Sequence, residues 1–213
     1  MATPWPPELS PSFFERGLRI DRYISSIVEN RDSFRANFVR AIDYFTLDDL
    51  LFFRALDTPI RVAALTEDSV EDTIRDIPIL ARLSVEVRTV DLRLFRRGSD
   101  PAVSAILSPP DAPDAAPVTV FYTADMRPRA ALVERLPEMT AMMQARRDAW
   151  IAAHPEMPDL HGADDAMSAV TRTRLRQAVT SLSAREQSQW GRAYAVELRS
   201  IAERMAADPE EKR

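Results

Sequence analysis

The chain has 213 residues, of which 46% are apolar and 29% charged, as is usual for a globular protein. Its net charge of −5 and the lack of a basic cluster interleaved with aromatic residues argue against nucleic-acid binding. It contains no cysteine, which excludes disulfides, thiolate nucleophiles and dithiol redox chemistry. No apolar run reaches the ~18 residues of a membrane span and no leader pattern is present, so we expect a cytoplasmic protein.

Residues 1–56 are predicted to form an N-terminal arm followed by helices that pack on a core. The stretch 1–11 holds four prolines and favours an extended arm, with Trp5 either docked on the body or mobile. Aromatic residues then recur at helical spacing. Thr46 followed by Asp49 predicts a capping box, which starts the next helix.

Residues 57–136 are predicted to form an α/β core. The apolar run 60–65 is typical of a buried parallel strand. An acidic turn then leads into an amphipathic helix that contains Pro78 and ends near Ser84. Apolar residues alternate again from Val90, which predicts a second strand. The connection has the length of a βαβ crossover, so the two strands are expected to be parallel.

The rest of the predicted core consists of a short helix and a third strand. Asp100 and Pro101 begin the helix, which runs to about Leu107. The strand covers residues 117–122 and opens with a proline, a position that a strand tolerates. After it, the pattern predicts a helix from Pro128 rather than a further strand. We therefore expect a sheet of three or four strands.

Residues 137–213 are predicted to form a C-terminal helical region. Pro137 is expected to kink or split its first helix. A proline-bearing linker over 154–164 precedes a further helix. Ser183 with Glu186 then predicts a second capping box, which opens the final helix.

The segment 62–72 (VAALTEDSVED) resembles a strand and turn of thioredoxin-like proteins, in the bacterial branch that carries helices ahead of the sheet. In that branch the strand is followed by Thr-Glu-Asp-Trp-Cys-Gly-Asp. Pro78 lies where thioredoxin-like helices carry a kink proline. Ala116-Pro117 resembles the apolar-Pro pair that forms a cis peptide facing the active site. The resemblance covers 57–136 and implies a thioredoxin-like three-layer α/β fold, with a short mixed sheet flanked by helices and extended by helices at both ends.

Carried onto this chain, the resemblance implies an active site without its chemistry. Val70 stands at the position of the attacking cysteine and Thr73 at that of the resolving cysteine. Ser69 replaces the family tryptophan, and Ala64 replaces the buried acid of thioredoxin. Since valine cannot ionise, we expect no catalytic residue and no cofactor. The predicted groove beside this degenerate site involves Ser69, Val70, Glu71, Asp72, Thr73 and Pro117.

Three functions are compatible with this interpretation. The first is a redox-inactive binding or scaffolding module, because a strand edge can pair with an extended peptide without any catalytic group. The second is a glutathione transferase or glutathione binder that uses the Ser69 hydroxyl, although Val118-Thr119 stands where those enzymes have an acid-Ser pair. The third is a structural subunit whose own arm fills the groove. A protein or peptide partner and a homodimer remain open; we expect no nucleic acid and no membrane partner.

Two clusters of potential metal ligands have simpler explanations. Asp68, Glu71 and Asp72 are oxygen ligands of the kind that divalent cations prefer, but acidic residues are also favoured at a helix N-terminus. His154 and His161 suggest a metal or acid–base pair, but their spacing matches no motif, so surface histidines are the better interpretation. We therefore expect no metal site.

Overall fold

The structure is a computed structural model and describes residues 5–161 and 167–207. Packing divides the chain into two compact units. Within the described residues, the first unit contains 5–135 and 191–207. The second contains 136–161 and 167–190. The domain boundaries predicted after residues 56 and 136 stay predictions.

The regular elements follow one another as helices, then an α/β core, then helices. The helices are α1 (Pro11–Phe14), α2 (Ile20–Ser26), α3 (Arg31–Arg40), α4 (Leu47–Arg54), α5 (Glu71–Glu86), α6 (Pro101–Leu107), α7 (Pro137–Ala153), α8 (Ala169–Thr180) and α9 (Ala184–Ala206), with 3₁₀ turns at Ala41–Tyr44 and Pro158–His161. The strands are β1 (Ile60–Thr66), β2 (Val90–Arg96), β3 (Val118–Tyr122) and β4 (Pro128–Val133). Every element predicted up to Tyr122 is present, and the Thr46–Asp49 capping box that starts α4 is confirmed.

The four strands form one mixed sheet in the order β2-β1-β3-β4. β1 and β2 run parallel, with Ile60 opposite Val90, as the length of their connection predicts. β3 lies antiparallel on the other side of β1, with Leu65 opposite Val118. The thioredoxin-like α/β architecture implied by the sequence is therefore confirmed.

The predicted helix after Tyr122 is wrong, because β4 occupies this stretch and pairs antiparallel with β3. The hairpin is closed by Thr123, whose backbone N–H donates to the Arg127 carbonyl at 3.0 Å. Met126 turns the chain with φ +71°. Pairing with β3 satisfies backbone groups that would otherwise form an open sheet edge. Pro137 consequently does not kink a helix but stands in the first turn of α7.

Helices and the N-terminal arm bury both faces of the sheet. On one face, alternate strand residues form a core cluster with Leu9 of the arm, Phe14 of α1 and residues of α6; Trp5 packs against it. Alternate residues such as Val62 and Ala64 point to the other face and are fully buried as well. α5 contacts β2 and α3, and Pro78 lies inside it as predicted.

The second unit has its own small core, in which Leu160, Met167 and Leu175 pack with Trp150. Arg146 links α7 to the end of α8 by donating to three main-chain carbonyls between residues 178 and 181. The predicted capping box at Ser183 is confirmed, with its N–H donating to the Glu186 carboxylate at 2.8 Å. No helix in the described part of the chain is long and apolar enough to cross a membrane.

Candidate functional site

The predicted site residues lie at the carboxyl end of β1, where a four-residue turn leads into α5. We call residues 67–73 together with Pro117 the turn site. Ser69 is exposed, and Val70 is half-buried directly before the first residue of α5. Thr73 is only 1% exposed, and its hydroxyl accepts from the Glu67 N–H at 3.4 Å. The Thr73 hydroxyl therefore closes the turn between β1 and α5.

Asp72 is the buried charge of the turn site. Its side chain is only 6% exposed and is held by the guanidinium of Arg135, with Nη2 at 2.6 Å and Nε at 2.9 Å from Oδ2. Arg75 adds a longer contact of 3.3 Å. Two guanidinium nitrogens on one carboxylate oxygen give a charge-assisted pair of the stronger kind.

Pro117 is coupled to the same ion pair through the backbone. The Ala116–Pro117 peptide is cis, as the resemblance implies. The Pro117 carbonyl accepts from the Glu134 N–H at 2.7 Å. Because Arg135 is the next residue, the ion pair with Asp72 ties the start of α5 to the segment that carries Pro117.

Arg97 makes a second tie across the turn site, from the end of β2. Its Nε lies 3.5 Å from the carboxylate of Glu67 in the turn. Its terminal nitrogens donate to the carbonyls of Pro113, at 2.7 Å, and of Ala115. The loop before Pro117 and the turn before α5 are thus held by one side chain, which fixes the spacing between them.

Asp68 anchors the turn to the N-terminal helices. Its carboxylate accepts from the Tyr23 hydroxyl at 3.1 Å and lies 3.0 Å from Nη2 of Arg96. The Asn30 side chain donates to the Asp68 carbonyl at 3.2 Å. Burial raises the pKa of Tyr23, and the negative charge of Asp68 adds to that increase. The phenol therefore stays a hydrogen-bond donor.

A buried polar group beneath the turn site was not predicted from the sequence. Asp76 and Thr119 are at most 1% exposed, and Tyr194 of α9 interacts with both. Burial raises the pKa of Tyr194, and the nearby Asp76 charge adds to it. The available signal was the position of Asp76 on the apolar face of α5, three residues after Thr73 and four before Leu80.

The turn site carries no activated nucleophile. The Ser69 hydroxyl donates to the Glu67 carboxylate at 3.2 Å, within its own turn. Asp68 and Asp72 both face arginines, which occupy the oxygens that a cation would need. Within the described residues, no three acidic or histidine side chains are gathered as a metal site. The arrangement holds the turn in shape and offers backbone groups to a partner.

The predicted histidine pair is not brought together in the described residues. His154 is half-buried and stacks on Trp150, with 4.1 Å between the ring centroids. Its Nδ1 forms a hydrogen bond with the Trp150 carbonyl at 2.8 Å. The side chain of His161 lies outside the described residues, as do Asp164 and Asp165. The observed contacts give His154 a packing role.

Comparisons with known proteins agree with this fold. The family model described as thioredoxin matches residues 23–150, more than half of the chain. The chain therefore belongs to the thioredoxin family, as a member without cysteine.

Solved structures support the fold alone. The chain is similar to a protein of unknown function from Pseudomonas aeruginosa, with a TM-score of 0.55 and 11% identity over 92% of this chain and 98% of that one. An HIV epitope scaffold matches with the same TM-score, identity and coverage. No curated protein matches the chain significantly.

Proposed function

We propose that this thioredoxin-family chain is a redox-inactive binding module that accepts an extended peptide beside the turn site. The observation that carries the proposal is the backbone of Ala116. Its N–H and C=O make no hydrogen bond within the described residues, whereas the Ala115 carbonyl is bonded by Arg97 and the Pro117 carbonyl by Glu134. An extended chain supplies one acceptor and one donor at this spacing, as in β-augmentation.

The surroundings of Ala116 favour a slender ligand. Ala116 is only 4% exposed, so a partner reaches a narrow strip of its backbone, which suits an extended peptide better than a bulky molecule. The arginine ties across the turn site keep this strip in place before binding, which lowers the entropic cost of association. Val28 is 82% exposed and its N–H lies 3.4 Å from Asp68, so it offers an apolar contact next to the turn.

The test begins with peptides selected by display against the full chain. We expect a selected peptide to shift the amide resonance of Ala116 in ¹⁵N NMR. N-methylation of the peptide residue that pairs with Ala116 should abolish binding, and N-methylation of its neighbours should not, since alternate residues of an extended strand face one partner.

A pair of valines provides a matched control for this experiment. Val28→Ser should weaken peptide binding, whereas Val39→Ser, at a similarly exposed valine on α3, should not. If selected peptides leave Ala116 unshifted, or if both serine variants bind equally well, the proposed binding module is wrong.

The two other functions predicted from the sequence have weaker support. For a glutathione site, the Ser69 hydroxyl would have to leave Glu67, to which it donates now. A saturable melting shift with reduced glutathione that is lost in Ser69→Ala would favour that function. For a purely structural subunit, the arm would have to fill the groove, yet Leu9 and Trp5 of the arm pack with a core cluster that contains no residue of 67–73.

A further inference from the structure

A concave surface lies at the end of the parallel strands opposite the turn site, and nothing in the proposed function uses it. It is bordered by the start of α2, the end of α5 and the first residues of β1 and β2. We call it the amino-end groove. Its lining residues are Arg19, Ile20, Asp21, Pro59, Arg61, Ser84, Val85, Arg88, Val90, Asp91 and Leu92.

Three arginines of this groove form no ion pair with the described residues, although the charges of two of them act on Glu15 beside the groove. The guanidinium groups of Arg19, Arg61 and Arg88 make neither an ion pair nor a hydrogen bond with the described residues, and that of Arg61 rests 5.7 Å above the ring of Phe14. The acid nearest to Arg61 along the sheet is Asp91, its register partner.

The two acids of the groove do not balance these charges. Asp91 is already ion-paired with Arg93, which also binds Glu15 at 2.7 Å. Asp21 is then the one groove carboxylate that no described arginine holds. The groove therefore keeps an excess of positive charge with free guanidinium donors.

Val90 and Leu92 of the edge strand β2 also line the groove. Leu18 forms an isolated antiparallel bridge with Leu94, donating and accepting at 2.8 and 2.9 Å. This bridge shows that the groups of Leu94 point away from β1, and by the strand period those of Leu92 and Val90 do so too. Arg93 donates to the Leu92 carbonyl at 3.3 Å. The N–H of Leu92 and both groups of Val90 have no partner among the described residues.

Close packing at Gly17 keeps the segment before α2 from covering the β2 edge at Val90 and Leu92. Gly17 lies so near to Arg93 and Phe95 that a Cβ on it would meet them at 2.5 and 2.8 Å. This approach brings Leu18 onto the edge, and α2 then runs from Ile20 to Ser26, whose carbonyl accepts from Arg96 at the carboxyl end of β2 at 3.0 Å. The groove is the space between the start of α2 and the start of β2.

We propose that the amino-end groove binds a small organic anion that carries at least two carboxylate or phosphate groups. Guanidinium forks pair with both kinds of group through two parallel hydrogen bonds. The outward N–H groups of Val90 and Leu92 add neutral donors, and Ile20 and Val85 provide apolar contact for a carbon skeleton. Arg19, Arg61 and Arg88 are the binding residues, and no chemical step is assigned to them.

The test uses inorganic pyrophosphate and citrate as probes, each titrated into the full chain at constant ionic strength and followed by calorimetry and ¹⁵N NMR. We expect saturable binding of at least one probe, with shifts at the amides of Val90 and Leu92. The double variant R19Q/R88Q should weaken that binding about tenfold or more, the loss expected when charge-assisted hydrogen bonds are removed.

The double variant R35Q/R185Q is the matched control, because it removes the same charge from two exposed arginines outside the groove. It should bind the probes as the unmodified chain does. Preference for pyrophosphate would identify a phosphate ligand, and preference for citrate a carboxylate ligand. The proposal is overturned if neither probe binds, if both double variants weaken binding equally, or if the shifts lie away from β2.

Discussion

The two ends of strands β1 and β2 carry similar numbers of arginines but use them differently. At the carboxyl end, Arg96, Arg97 and Arg135 each contact an acidic residue of the turn site. At the amino end, Arg19 and Arg88 contact none in the described chain. At the carboxyl end, the arginine charges are used in ion pairs that hold the turn site in shape. The amino end leaves them available to a ligand.

This difference shows what holds the turn site in shape. The turn site of this chain keeps its form through paired charges, in which Asp68 and Asp72 are each bound by a guanidinium from another segment. Such pairs add specific geometry, and breaking one leaves a charge without its partner. The following substitutions test the contrast between the two ends.

The largest effect is expected at the Asp72–Arg135 pair. Arg135→Ala should lower the free energy of unfolding by about 2–3 kcal/mol, because it leaves a largely buried carboxylate with only the longer Arg75 contact. Urea unfolding measures the change. In an Asp72→Asn background the same substitution should cost at least about 1 kcal/mol less.

An exposed ion pair serves as the control for that measurement. Arg127 lies 2.9 Å from Asp125, and both side chains are more than half exposed. Arg127→Ala should therefore change stability by less than about 1 kcal/mol. Equal losses in Arg127→Ala and Arg135→Ala would contradict the structural role assigned to the turn-site pair.

The next effect is expected at Asp68, the anchor between the turn site and the N-terminal helices. Asp68→Asn should cost about 1–2 kcal/mol in urea unfolding, since it weakens the bonds from Tyr23 and Arg96. It should also lower the pKa of Tyr23, because one cause of its elevation is removed while burial remains. Absorbance titration of the phenol checks this, and an unchanged Tyr23 pKa would count against the contact.

At the amino end we expect almost no loss of stability. Arg88 is exposed and makes no ion pair in the described residues. Arg88→Gln should therefore stay within about 0.5 kcal/mol of the unmodified chain in thermal or urea unfolding. A loss as large as that of Asp68→Asn would mean that this arginine is structural and that the contrast between the ends is false.

The smallest effect is expected at Glu15, whose pKa depends on the arginine charges beside the amino-end groove. The hydrogen bond from Arg93 lowers its pKa, and the charges of Arg19 and Arg61 add to this. Arg61→Gln should raise the Glu15 pKa toward its ordinary value, as read from NMR titration of its side chain.

The sign of the linked stability follows from that lowered pKa. A carboxyl whose folded pKa lies below the unfolded value of about 4.3 stabilises the fold above that pH and loses the contribution as the pH falls through the folded pKa. Arg61→Gln should bring the folded pKa of Glu15 closer to the unfolded value, so the pH range over which this stability is lost becomes narrower. A Glu15 pKa that does not move would show that Arg61 is more distant from it than the structure places it.

The sequence predicted the local elements because their signals are local. Thr46 and Ser183 are each three residues from the acid that completes their capping box, and both boxes form. Alternating and helical periods gave the βαβ unit and its parallel pairing. The pairing of β4 with β3 was missed, because a single helical period across Leu132 and Met139 concealed a hairpin followed by a new helix.

The sequence by itself determined the class of fold, the capped helices, the position of the turn site and the loss of its cysteines. These depend on residue type and on spacings within one or two turns of chain. Only the tertiary structure decided which charges are paired. Asp72 and Arg135 are 63 residues apart, and Arg93 and Glu15 are 78 apart. No sequence period brings such residues together; the sheet order does, by placing β2 and β4 at its two edges.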